Sequence, residues 1–123
     1  MSAECSCGCG AAPTLIFACS GCADVGALSD QIARKLTREG KGKMACLAGI
    51  GARISGIVKS TEAADKILVI DGCPLDCAKK ILEGASFKVF QHLRLSDHGF
   101  EKGKTEVSEA NVAAAAAKAG NLL

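Results

Sequence analysis

The chain has 123 residues, 49% of them hydrophobic, with 15 basic and 13 acidic side chains for a formal charge of +2. That length and apolar share suffice for one folded domain with its own core, and they exclude a chain too polar to fold. The near balance of charge and the lack of Trp and Tyr give no basis for a nucleic-acid partner, which needs a basic face or aromatic stacking platforms.

Residues 1–13 read as a flexible tail. Cys5, Cys7 and Cys9 alternate there with small residues, and Gly8, Gly10 and Pro13 oppose regular structure. Three such thiols suit a soft metal, and equally suit an oxidisable tail without a scaffold. Residues 5–23 carry no charge, but Gly, Cys and Ser interrupt the apolar run and the charge before it is Glu4. Neither a membrane span nor a secretory leader is expected, so the protein is expected in the cytoplasm with no membrane partner.

From residue 14 to 123 the pattern is that of one α/β domain. Residues 14–18 (TLIFA) form a short apolar run suited to a buried strand. Residues 24–39 read as a helix with Val25, Leu28, Ile32 and Leu36 on one face, Asp24 as N-cap and Gly40 as stop. A second strand is expected over 44–48 and a turn over 49–51. A helix over 53–59 follows, presenting Ile54, Ile57 and Val58, continued or followed by 61–65. Residues 66–70 (KILVI) are the clearest strand. Residues 73–83 are the clearest helix, with Pro74 at its first position and Gly84 at its exit. A fourth strand is expected over 87–95 and a polar loop over 96–106. Ser108 caps a last helix that runs to Ala119 and is stopped at Gly120. Alternating strands and helices predict a single-domain, three-layer α/β/α fold, Rossmann-like, with a mainly parallel sheet of about four strands buried on both faces.

Eight cysteines stand out against this frame. A reducing cytosol disfavours disulfides, so metal binding or redox chemistry is the expected use. Cys19 and Cys22 follow the first strand, Cys46 lies within or at the end of the second, and Cys73 and Cys77 follow the third. In a parallel sheet these strand ends share one edge, the edge where open α/β folds bind ligands. Zinc takes four thiolates at about 2.3 Å, with sulfurs about 3.8 Å apart. The two-residue spacer of Cys19-Ser20-Gly21-Cys22 allows two sulfurs to meet one ion. Cys73 and Cys77, on the helix expected there, stack one turn apart where N–H groups favour thiolate. The competing reading is that these are small buried hydrophobes, and it is strongest for Cys46, between Ala45 and Leu47.

The segments ACSGCADVG (18–26), KMACLAGIGARISGIVKS (43–60) and IDGCPLDCAKKILE (70–83) resemble the DGC domain family, named for an Asp-Gly-Cys motif that here is Asp71-Gly72-Cys73. The resemblance spans residues 14–115. It implies a zinc site of four cysteines matching Cys19, Cys46, Cys73 and Cys77, with Cys22 an extra thiol where many members carry a small residue. It implies no reaction. Gly72 permits a tight strand exit, and Asp71 either orients a ligand or takes N–H bonds in a turn.

Among the weaker signals, His92 falls in the expected fourth strand, and Asp97 and His98, in the loop after it, are read as solvent-exposed residues or as groups that support the cysteine edge or serve as acid and base. The run 49–53 is read as a turn, with Arg53 able to suit a small anion. Arg38, Lys41 and Lys43 are read as a solvated helix end. Two functions compete. One is a metal-binding protein, with zinc as cofactor, or an iron–sulfur cluster on the same thiolates. The other is a thiol–disulfide oxidoreductase or redox sensor using Cys19 and Cys22. The latter lacks the downstream cis-proline arrangement of thioredoxin-like proteins, since Pro13 and Pro74 are the only prolines. A zinc-supported interaction module, unfolding without metal, ranks third. The partner beyond the metal ion, a protein or a small molecule, is not identified by the sequence.

Overall fold

A computed structural model describes residues 13–123; the reading of Cys5, Cys7 and Cys9 lies outside them. Four parallel strands form one sheet: β1 (Thr14–Ala18), β2 (Lys43–Met44), β3 (Lys66–Asp71) and β4 (Gln91–Arg94), in the spatial order β2-β1-β3-β4. The helices are α1 (Asp24–Arg38), α2 (Leu47–Gly51), α3 (Ser55–Glu62), α4 (Cys77–Gly84) and α5 (Glu109–Gly120), with a 3₁₀ turn at Leu95–His98. The expected α/β architecture with a four-stranded parallel sheet is what the chain adopts.

Alternation along the central strands sorts the core into two halves. Ile16, Ala18, Leu68 and Ile70 face α1 and α5, where Leu28, Ile32, Leu36 and Ala119 are fully buried. Leu15, Phe17, Ile67 and Val69 face the other way, onto Ile50, Ala78 and Leu82. Each such side chain contributes about 1.5–3 kcal/mol by leaving water. The apolar face expected of α1 is the buried one. That helix stops through Gly40, whose φ of +75° lets Lys41 N–H reach Leu36 O at 3.0 Å.

Three local expectations are corrected. First, the second strand ends at Met44, and Leu47–Gly51 is helical where a strand end and turn were expected. Cys46 therefore caps a helix instead of sitting in the sheet: its Sγ accepts the Gly49 N–H at 3.3 Å. Second, α4 begins at Cys77, not at Cys73. Asp76 holds φ +55°, a left-handed conformation that no right-handed helix can include, so Cys73–Asp76 is a turn and Pro74 lies outside the helix. Cys73 and Cys77 are thus not stacked on one helical face. Third, β4 is confined to Gln91–Arg94 and the 3₁₀ turn takes up its expected end. At the helix starts, Ser108 caps α5 through Asn111 N–H at 3.1 Å. The N-cap of α1 is Ala23, which frees the carboxylate of Asp24 for other bonds.

Candidate functional site

The strand order reverses direction between β1 and β3: from β1 the chain proceeds to β2 on one side and to β3 on the other. Such a switch point opens a crevice at the carboxyl ends of the strands. The residues there are Cys19, one step beyond β1, and Gly72-Cys73, just beyond β3. They are in contact: the Gly72 N–H donates to Cys19 Sγ at 3.2 Å. The crevice is a cavity of about 320 Å³ whose wall includes Cys19, Cys22, Cys73 and Cys77. Four of the five thiols expected to meet line this one cavity. Cys46 is not on that wall, although its neighbour Leu47 is.

The thiols differ in setting. Cys22, Cys46 and Cys77 are exposed, while Cys19 and Cys73 are partly buried. Burial pushes the Cys19 thiol up in pKa; the bonds with Ser29 and Gly72 oppose this, and the charges of Asp71 and Cys73 reinforce it. Among the described residues no three sulfurs lie within 4.8 Å of one another. The thiols therefore ring a cavity and do not form a closed tetrahedron. The soft sulfur donors, with N–H groups already pointing at Cys19 and Cys46, suit a thiophilic metal.

Asp71 is 1% exposed and lies outside the cavity wall. Its carboxylate accepts from Ala78 N at 2.8 Å and Lys79 N at 3.0 Å, the first turn of α4, and meets His92 Nε2 at 2.9 Å. It satisfies N–H groups that a helix start leaves without partners and so fastens the Cys77 end of α4 to the end of β3. Of the two roles expected for Asp71, the N–H-accepting one is observed. Gly72 is needed for space: a Cβ there would lie 2.7 Å from both C and O of Val25, at the start of α1.

Sequence reasoning missed a group at the next strand. Asp76, 8% exposed, forms a forked ion pair with Arg94, whose Nε lies 2.8 Å from Oδ1 and whose second bond is to Oδ2. The guanidinium holds the Asp76 carboxyl below the usual carboxylate range. The pair clamps the left-handed residue between Cys73 and Cys77, and Arg94 also reaches Asp97 at 3.2 Å. Asp71, Asp76 and His92 offer ligand atoms within 4.8 Å of one another, but their bonds to Arg94 and α4 already commit them to holding the loop. His92 is half-buried in this network, in the strand expected to contain it, whereas His98 is exposed as expected. The signal available was position: Asp76 separates two cysteines, and Arg94 ends the strand next to them.

Arg53 is not free for an anion. It donates to Ile50 O at 3.0 Å and Gly84 O at 2.6 Å, tying α2 to α4. Among the described residues no helix is long and apolar enough to cross a membrane.

Residues 15–119 match the profile of the DGC domain. Over 96 residues, 78% of this chain and 73% of the relative, the sequence is 38% identical to the "Anaerobic and virulence modulator AnvM" of Pseudomonas aeruginosa. No solved structure matches the chain significantly. With the profile covering nearly all of the described domain, and its Asp-Gly-Cys element standing at the switch point of the sheet, the chain belongs to the DGC domain family.

Proposed function

We propose that the protein is a cytoplasmic metal-binding regulator that holds zinc through cysteine thiolates at the carboxyl edge of its sheet. The observation that carries the reading is the single cavity walled by Cys19, Cys22, Cys73 and Cys77. Cys19, Cys73 and Cys77 would form the constant part of the ligand set. The fourth place belongs to Cys46, as the family resemblance implies, or to Cys22, as the cavity wall favours. Zinc so bound supplies a Lewis-acid centre if one place is exchangeable, and a closed structural site if none is. The protein's own part is to favour thiolate, through the N–H groups of Gly72 and Gly49, and to hold the two cysteine loops together through Asp71 and the Asp76–Arg94 pair. The regulatory half of the reading rests on the name of the relative, a modulator. No reaction is assigned.

The test is a set of single alanine variants titrated with zinc against a chromophoric chelator. Cys73→Ala and Cys77→Ala are expected to weaken zinc by at least about a hundred-fold, and of Cys22→Ala and Cys46→Ala only the variant lacking the fourth ligand should join them. Full zinc affinity in all four variants would sink the proposal. A redox reading is favoured by one observation, the exposed Cys22 three residues after Cys19. It is opposed by the partial burial of Cys19, which limits the access of a disulfide partner to its sulfur.

A further inference from the structure

The thiol cavity is larger than a metal ion requires and is apolar where the sulfurs are not. A water claims about 30 Å³ of liquid, so about 320 Å³ has room for a molecule of about ten non-hydrogen atoms. Val25, Leu47, Leu75 and Ile81 supply the apolar wall, and Lys102 is the one charged residue on it. Leu75 is 59% exposed, an unusual placing for a leucine on a loop that is otherwise clamped.

Lys102 is not there by the accident of a loose loop. The loop is tied to the start of α1 by Asp24, whose Oδ1 accepts from Gly103 N at 2.9 Å and whose Oδ2 accepts from Thr105 N at 3.0 Å. Those N–H groups, Gly103 first, hold the Asp24 carboxyl below the usual range. The next residues in sequence pair elsewhere, Lys104 with Glu101 at 3.6 Å. Among the described residues Lys102 itself has no ion-pair partner, and it is an exposed residue on the cavity wall. Small-molecule sites have this form: an apolar pocket with one well-placed polar group that fixes orientation.

We infer that the cavity binds a small organic anion with an apolar body, the body against Leu47, Leu75 and Ile81 and the acidic group on Lys102. The inference goes beyond the metal reading and does not require it, because the apolar wall and Lys102 are present whether or not the thiols hold an ion.

Octanoate, with ten non-hydrogen atoms, is the probe, and 1-octanol is its neutral control. Both are titrated below micelle-forming concentrations into the zinc-loaded and the metal-free full chain, with amide shifts followed by NMR. Octanoate is expected to shift residues 19–23, 72–77 and 102. Lys102→Met should weaken it about five-fold, the size of an exposed ion pair. Lys102→Arg should restore it, and octanol should be indifferent to both. Failure of octanoate to shift the cavity residues in either form would overturn the inference, as would equal affinity in Lys102→Met. If zinc does not bind but octanoate does, the metal reading fails and this one stands; the reverse outcome sinks this one alone.

Discussion

Gly72→Ala is expected to lower the melting midpoint by about 10–15 °C, a loss of about 3–4 kcal/mol for a domain of this size. The backbone at Gly72 does not have positive φ, so the penalty is steric. The new methyl would meet the carbonyl carbon and oxygen of Val25 at 2.7 Å and its Cγ2 at 2.8 Å. Backbone at the start of α1 cannot rotate away as a side chain could. Overpacking of this kind costs about 1–3 kcal/mol or more. Withdrawal of β3 from α1 would also break the Gly72 N–H bond to Cys19, worth about 1 kcal/mol. Gly56→Ala is the control. Nothing lies within 4 Å of a Cβ there, and the residue is in α3, so a small gain is expected. Melts followed by circular dichroism decide the matter: an unchanged midpoint for Gly72→Ala would show that α1 and β3 are not in close contact.

Asp71→Ala is expected to cost about 3 kcal/mol, because it strands two N–H groups of α4 and removes the partner of His92. Asp71→Asn keeps one acceptor oxygen and should cost about half as much. His92→Ala removes one bond at a half-buried site and should cost about 1 kcal/mol or less. This ranking, read by denaturant titration, separates an anchor for α4 from an ionic pair. If His92→Ala proved as damaging as Asp71→Ala, the pair and not the helix start would be the reason for the buried carboxylate.

The architecture was legible because it depends on bulk pattern. The runs at 14–18 and 66–70, the face of Val25, Leu28, Ile32 and Leu36, and the stop at Gly40 all reflect burial and backbone freedom, which sequence carries directly. The parallel sheet puts the loops that carry Cys19, Cys22, Cys73 and Cys77 on one edge, where these residues line one cavity. What escaped was local and conformational. Proline at 74 signals a helix start, yet Asp76 adopts a left-handed backbone that delays the helix to Cys77. That choice is stabilised by Arg94, 18 residues on, and no periodicity reports such a pair. Cys46 is expected within or at the end of a strand over 44–48. Its thiol instead accepts an N–H and opens α2, a capping role seldom expected of cysteine. Lys102 was invisible as a site residue because its place depends on Asp24, across a separation of about 80 residues in sequence.

The central claim is that the cavity thiols hold a metal. The most direct measurement is metal content together with free-thiol count on untagged protein purified without oxygen. The account predicts about one zinc per chain, with Cys19, Cys73 and Cys77 protected from alkylation until a chelator is added. Metal-free protein in which all three thiols alkylate at once, and in which Cys19 and Cys22 form a reversible disulfide, would contradict it and give the site to redox chemistry.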